Sequence, residues 1–135
     1  MKVCIESILH DIKHISEEAS QKCVNRRQFH NTMQQKIVNL ANSFNIKGLK
    51  EYRVRDGLID VAWLSDLNPI AVFEIDSSLR IKSIRKLLAV EVPSRFWVYY
   101  GPKDPTSLLY KYDPNNLIGV IQLQHIRFKR ERSGN

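Results

Sequence analysis

Cysteine, glycine, proline and long apolar runs are all scarce in this chain of 135 residues. The two cysteines, Cys4 and Cys23, fall in stretches with helical spacing, so we expect reduced core thiols rather than disulfides or a metal cluster. Five glycines and five prolines beside 43% hydrophobic residues exclude a collagenous or low-complexity chain. No window approaches the roughly 18 consecutive apolar residues of a membrane span, and the first ten residues lack a signal-peptide pattern. We therefore expect no membrane partner and a cytoplasmic location, in a prokaryotic cell or in the host of a virus or plasmid.

The charge balance favours a polyanionic partner. There are 21 basic and 14 acidic residues, which give a formal net charge of +7 and an isoelectric point near 9.6. The length suits one domain, with a helical part over residues 1–47, a sheet with a crossover helix over 48–129, and a flexible basic tail over 130–135. The basic residues from Arg127 to Arg132 are interpreted as either a solubilising end or an arm that tracks DNA.

Two stretches near the N-terminus carry apolar residues three or four apart, a spacing typical of amphipathic helices. Asn25 is suited to cap a second helix, and Asn45 and Gly48 mark its end. The spacing leaves open whether there are two helices or one kinked helix. It also suits a dimer seam, although packing onto a sheet is the commoner use of such a face. The two stripes are Ile5, Ile8, Ile12, Ile15, Ala19 and Cys23, and then Phe29, Met33, Ile37, Leu40 and Phe44.

After Gly48 the apolar period changes from helical to alternating. Tyr52 and Val54 alternate with arginines, Asp56-Gly57 predicts a two-residue hairpin turn, and Asn68-Pro69 predicts a loop. Ser77 or Ser78 is expected to cap a helix that buries Ile81, Ile84, Leu87 and Leu88. The expected strands cover residues 58–63, 70–75, 96–100 and 117–124, with a short helix over 107–112. The pattern predicts an α/β fold with a central mixed sheet flanked by helices, in which strands 70–75 and 96–100 are parallel and joined by a right-handed crossover.

Carboxylates interrupt two of the apolar strands. Burying an unpaired carboxylate costs several kcal/mol, so Asp60, Glu74 and Asp76 need a cation, a proton or hydrogen bonds. Glu74 and Asp76 share one face of their strand, and Asp60 lies on the neighbouring strand. Three oxygen donors at one sheet edge favour Mg²⁺ or Mn²⁺. A structural alternative is that Arg53 or Arg55 pairs with Asp60.

The histidine and aromatic side chains are not assigned to a binding site. The four histidines share no metal-ligand spacing beyond His10 and His14, which we assign to a helix surface because no third ligand follows. The large aromatic residues of the strands are assigned to the core rather than to base stacking. These are Trp63, Trp97, Tyr99 and Tyr100.

Asp60, followed about one strand later by Glu74-Ile75-Asp76, resembles the motif of the PD-(D/E)XK nuclease superfamily, which has a restriction-endonuclease-like fold. The motif is an Asp on the second strand and then an acidic residue, any residue and Lys; here Asp76 stands in the lysine's place, as in a minority of these nucleases. The resemblance covers about residues 33–123. It implies that Asp60, Glu74, Asp76 and the Ile75 carbonyl bind Mg²⁺ or Mn²⁺ beside a scissile phosphate.

Other branches of the superfamily carry the lysine on the next helix, where a Lys-Leu pair follows the strand-end Glu and a Ser. Lys86-Leu87 resembles that pair, so Lys86 is the first candidate for the catalytic lysine and Lys82 the second. The family's helical glutamate has no clear counterpart, with Glu17, Glu18 and Glu51 as weak candidates. If the resemblance holds, the phosphates of DNA would be bound by Arg53, Arg55, Arg80, Lys82, Arg85 and Arg95.

The sequence therefore predicts a metal-dependent endonuclease that hydrolyses phosphodiester bonds of DNA without a small-molecule cofactor. A homodimer would suit this activity, since cutting both strands of a duplex takes two active sites. One alternative is a catalytically degenerate nuclease fold that binds nucleic acid or a protein partner. A second is a small interaction protein whose paired helices form a dimer seam.

Overall fold

A five-stranded mixed sheet flanked by helices organises the chain, so the predicted α/β class is confirmed. The computed structural model describes residues 5–126 and residue 128, except for the side chain of Ile5. Cys4 and the basic tail over residues 130–135 lie outside these residues. Within them, no helix is long and apolar enough to cross a membrane. The helices are α1 (Ile5–Lys22), α2 (Arg26–Leu40), α3 (Ile81–Leu88) and α4 (Thr106–Tyr112), and the strands are β1 (Lys47–Val54), β2 (Gly57–Ser65), β3 (Asn68–Asp76), β4 (Ser94–Tyr99) and β5 (Ile118–Gln122).

The strands lie in the sheet in chain order. The first three form an antiparallel meander, and β4 and β5 then add in parallel. The expected parallel pairing across the crossover is confirmed, because the register of β3 with β4 runs in the same direction from Ala71 opposite Ser94 to Asp76 opposite Tyr99. The buried strand β3 therefore stands at the centre of the sheet, with its carboxyl end between the ends of β2 and β4.

The two faces of the sheet carry separate hydrophobic cores. On one face α1 and α2 pack through Ile12, Phe29 and Met33, and Phe29 contacts Tyr100 edge to face with ring centroids 4.7 Å apart. On the other face α3 packs through Ile84 and Leu87. The four aromatic residues assigned to the core are all buried. Strand alternation explains this division, since neighbouring residues point to opposite faces.

Two predicted turns and one predicted helix cap differ from the structure, and several strand and helix ends shift by one to two residues. The hairpin turn is formed by residues 55–56, and Gly57 (φ 139°) is already the first residue of β2. The loop expected at Asn68-Pro69 lies at residues 66–67, where two consecutive positive φ angles turn the chain, so Asn68 and Pro69 begin β3. Neither Ser77 nor Ser78 caps α3, because Arg80 holds the N-cap position without a side-chain hydrogen bond.

The regular alternation of β2 breaks at Asp60. Ile59 packs in the core under α3, whereas Val61, two residues later, packs in the core under α2. The pairing of β1 with β2 is interrupted at the same point, where Glu51 (φ 55°) lies opposite Asp60. This irregularity frees the backbone of Asp60 for side-chain contacts at the carboxyl end of β3.

Candidate functional site

An open cleft of about 260 Å³ lies where the carboxyl end of β3 meets α2 and the segment before α3. It is smaller than the roughly 300–1,000 Å³ of typical small-molecule sites, and its lining is mostly polar. The cleft brings together four of the residues predicted from the sequence as catalytic, which are Asp60, Glu74, Asp76 and Lys86.

Asp60 and Glu74 are joined by crossed hydrogen bonds between their carboxylates and the backbone. Glu74 Oε2 accepts the backbone N–H of Asp60 at 2.9 Å. Asp60 Oδ2 accepts the backbone N–H of Ile75 at 2.8 Å. These bonds replace regular strand pairing at the end of β2 and β3, so the two carboxylates are fixed relative to each other by the backbone.

Lys86 reaches the carboxylates from α3. Its Nζ contacts Glu74 Oε1 and donates a hydrogen bond of 2.8 Å to the carbonyl of Leu58. The side chain of Lys86 is 12% exposed and that of Glu74 is 2% exposed, so the pair is shielded from solvent screening. Lys82, one turn earlier, is exposed and does not line the cleft. The structure thus brings the first lysine candidate into the site and leaves the second outside it.

His30 and Gln34 of α2 hold Asp60 from the other side. His30 Nε2 lies 3.3 Å from Asp60 Oδ2, and Gln34 Nε2 donates a 2.8 Å hydrogen bond to the backbone carbonyl of Asp60. The two side chains are four residues apart and therefore share one helical face. Asp60 does not pair with Arg53 or Arg55, which are exposed, so that structural alternative is wrong.

Asp76 is tied mainly to the core of the sheet. Its Oδ2 accepts a 2.8 Å hydrogen bond from Trp97 Nε1, and its Oδ1 lies 3.9 Å from the guanidinium of Arg80. The side chain of Asp76 is 8% exposed, against 21% for that of Asp60. Asp76 therefore accepts a hydrogen bond from the buried aromatic cluster. The lysine of the usual motif has no acceptor atom and could not make this contact.

The pKa values of the acidic groups differ because their surroundings differ. Burial, together with the negative charge of Asp60, raises the pKa of Glu74 to about 8, although Lys86 acts in the opposite direction. Burial also raises the pKa of Asp76. Burial acts in the same direction on Asp60, but the hydrogen bond and charge of His30, together with hydrogen bonds to Glu74 and the Ile75 backbone, lower the pKa of Asp60. The hydrogen bond to Asp60 in turn raises the pKa of His30.

The oxygen donors of the cleft suit a hard divalent cation. Mg²⁺ is commonly held by one or two carboxylates, with water and substrate phosphate completing the shell, and Asp60, Glu74 and the Ile75 carbonyl offer such donors. Within the described part of the chain, no group of three or more His, Cys, Asp or Glu side chains could hold a metal ion by itself. Asp60, Glu74 and the backbone of Ile75 are thus the groups of the cleft that a cation would contact, together with water and substrate.

The predicted phosphate-binding residues are dispersed over the surface. Arg80 lines the cleft, whereas Arg53 and Arg55 of the first hairpin and Lys82 and Arg85 of α3 are exposed outside it. Arg95 differs from the others, because its guanidinium donates to the carbonyls of Leu87 at 2.9 Å and Val90 at 2.7 Å. It stabilises the end of α3 and does not line this cleft.

Sequence reasoning missed the contribution of α2 to the cleft. His30, Arg26 and Arg27 line it, although the histidines were interpreted as lacking a metal-ligand pattern. The three weak candidates for a helical glutamate, Glu17, Glu18 and Glu51, are exposed and do not line the cleft. The available signal was the spacing of His30 from Gln34, which places two polar side chains beside the apolar stripe of α2. Exposed His10 and His14 agree with the surface assignment.

Comparisons with family models, with curated proteins and with solved structures find no match for this chain.

Proposed function

We propose that this chain is a metal-dependent nuclease of the PD-(D/E)XK type that hydrolyses phosphodiester bonds of DNA. The observation that carries the proposal is the contact of Lys86 with Glu74, beside Asp60, in an open cleft. Two carboxylates and a lysine drawn from three different elements are the groups that this chemistry requires. The order of a helix, an antiparallel meander, a crossover helix and a parallel strand also supports a restriction-endonuclease-like fold.

In this proposal each residue of the cleft has a distinct role. Asp60 and Glu74 would hold Mg²⁺ or Mn²⁺ together with the Ile75 carbonyl, and His30 and Gln34 keep Asp60 in place. The cation supplies an activated water and offsets the charge that develops on the phosphate. Lys86 orients the attacking water and adds a second positive charge at the reacting phosphate.

The exposed arginines and lysines outside the cleft would bind flanking phosphates. Each such contact releases counterions, so affinity would fall as salt rises. A homodimer would place two clefts on one duplex and allow both strands to be cut. The positions concerned are Arg53, Arg55, Lys82 and Arg85, with Arg80 at the cleft itself.

The proposal is tested by incubating the protein with labelled duplex, branched, flap and single-stranded DNA in Mg²⁺, Mn²⁺ or EDTA. Wild-type protein should cleave at least one substrate in the presence of either metal and none in EDTA. Glu74→Gln should lose the activity, whereas Glu91→Gln, an exposed glutamate outside the cleft, should keep it. Absence of cleavage in every condition would overturn the catalytic proposal.

A second candidate is a degenerate nuclease fold that binds nucleic acid or a protein without cleaving it. Two observations favour it, namely that no three-ligand group is present in the described residues and that Lys86 occupies one oxygen of Glu74. Under this alternative, DNA binding would be unchanged by Mg²⁺ and by Glu74→Gln. Isothermal titration of Mg²⁺ into the protein with and without DNA separates the two, because only the nuclease requires a site for the cation.

A further inference from the structure

Arginines stand on two sides of the acidic centre. Arg26 and Arg27, in the first turn of α2, line the cleft from one wall, and Arg80, just before α3, lines it from another. Lys86 also lines the cleft, so its lining holds four formal cations and three acidic side chains. The cleft is therefore acidic at its centre and basic at its rim.

The arginines of α2 are not explained by the stability of the helix. The positive end of the helix dipole lies at the N-terminus, where acidic residues are favourable and cations are not. The first turn of α2 contains no acidic residue and begins with two consecutive arginines, while Asn25 already caps the helix through the N–H of Gln28 at 2.9 Å. Within the described residues, Arg27 is exposed and its guanidinium makes no ion pair. A local choice that opposes helix stability is typical of a functional position.

The cations of the two walls also differ in whether an acidic side chain lies next to them. Arg80 faces Asp76 at 3.9 Å and Lys86 contacts Glu74, so each of these two cations already has an acidic side chain as its neighbour. The rim at Arg27 has no such neighbour among the described residues. A polyanion with charges repeated along its length would satisfy the rim on both sides of the centre, whereas a single small anion would satisfy only one side.

We propose that the phosphodiester backbone of a nucleic-acid strand crosses the cleft from Arg80 to Arg26 and Arg27, so that α2 forms the second wall of the binding path. This inference rests on the proposed function for its choice of partner. It adds to the predicted phosphate-binding residues a contact surface on α2, on the side of the cleft opposite Arg80. The guanidinium groups would bind phosphate oxygens by paired N–H donors, without reading base sequence.

The test is the binding of a fluorescein-labelled 20-nucleotide DNA, single-stranded or duplex, followed by anisotropy in EDTA between 50 and 200 mM salt. Arg27→Ala should weaken binding roughly fivefold at the lower salt, and the loss of affinity across this range should become about threefold smaller, as for one phosphate contact fewer. Lys36→Ala is the matched control, since it removes one exposed cation from α2 outside the cleft. Circular dichroism of each variant establishes that the helices are retained.

Equal affinity and equal salt dependence for Arg27→Ala and Lys36→Ala would overturn the inference, as would failure of the wild-type chain to bind DNA. Because EDTA prevents metal-dependent cleavage, the two proposals can fail separately. Binding that depends on Arg27 in a protein that never cleaves DNA would support the strand path and overturn the nuclease. Cleavage that requires Glu74, with binding indifferent to Arg27, would do the reverse.

Discussion

Glu74 accepts the backbone N–H of Asp60, while Asp60 accepts the backbone N–H that follows Glu74. Each carboxylate therefore fixes the strand that carries the other. The arrangement places two acidic groups close together in a buried setting, and the two respond in opposite ways, with the pKa of Asp60 lowered and that of Glu74 raised to about 8. Paired groups whose environments separate their pKa values are typical of acid–base or metal sites.

The raised pKa of Glu74 predicts a pH dependence of stability in EDTA. The folded protein retains a proton on Glu74 up to a pKa of about 8, whereas the unfolded chain loses it near the ordinary pKa of 4.5. The contribution is therefore fully present below pH 4.5 and is lost as the pH rises through about 8. His30 makes a second contribution to stability that is also lost as the pH rises, since its pKa is raised above 6.5 in the folded protein.

Glu74→Gln removes the larger of these two titrations. We expect the decrease in melting temperature between pH 5 and pH 8 to shrink by roughly 5 °C in this variant, measured by differential scanning calorimetry. Glu91→Gln, at an exposed position, should retain the wild-type slope. An unchanged slope in Glu74→Gln would show that this carboxyl titrates normally in the folded protein.

The two lysines of α3 make different predictions for activity. Lys86→Ala removes the ammonium that contacts Glu74 and the Leu58 carbonyl, so we expect kcat for metal-dependent cleavage to fall roughly 100-fold. The pH–rate profile should also move to higher pH, because Lys86 opposes the increase in the pKa of Glu74. Lys82→Ala, at an exposed position outside the cleft, should raise KM and leave kcat within about threefold. The reverse pattern would assign the catalytic lysine to position 82.

The parts of the fold that could be predicted follow mainly from the spacing of apolar residues within single helices and strands. Phe29, Met33 and Ile37 recur at helical spacing because one face of α2 is buried, and that face is indeed fully enclosed. The apolar run from Ile70 to Ile75, interrupted only by Glu74, predicts a central strand because such a strand is covered on both faces. Both signals arise within a single element and require no knowledge of its neighbours.

The parts of the site that depend on contacts between elements could not be predicted in this way. His30 meets Asp60 because α2 crosses the end of β2, 30 residues later in the sequence, and no spacing within α2 encodes that crossing. The irregularity at Asp60 coincides with the positive φ of Glu51 on the neighbouring strand. Residues other than glycine rarely adopt a positive φ, so the sequence does not predict it. Lys86 was identified by resemblance, whereas its contact with Glu74 is a property of the fold.

Asp76 provides a test of how much of the acidic set is structural. Asp76→Asn keeps an oxygen that can accept the Trp97 N–H, so this variant should keep metal-dependent cleavage within about tenfold of wild type. Trp97→Phe removes the donor from a buried pair and should lower the free energy of unfolding by about 2–4 kcal/mol, as measured by urea denaturation. Loss of cleavage in Asp76→Asn, with normal stability, would instead make Asp76 a metal ligand.

Arg95 and Arg85 separate a structural arginine from a binding one. Arg95 donates to two carbonyls at the end of α3, so Arg95→Ala leaves both without a partner and should cost about 1–3 kcal/mol in the free energy of unfolding. Its salt dependence of DNA binding should match that of the wild type. Arg85 is exposed on α3, so Arg85→Ala should change stability by less than about 0.5 kcal/mol and weaken DNA binding. The two variants are matched, because each loses one guanidinium. Equal effects on DNA binding would contradict this prediction and mean that Arg95 also contacts the DNA, at the expense of its two carbonyl contacts.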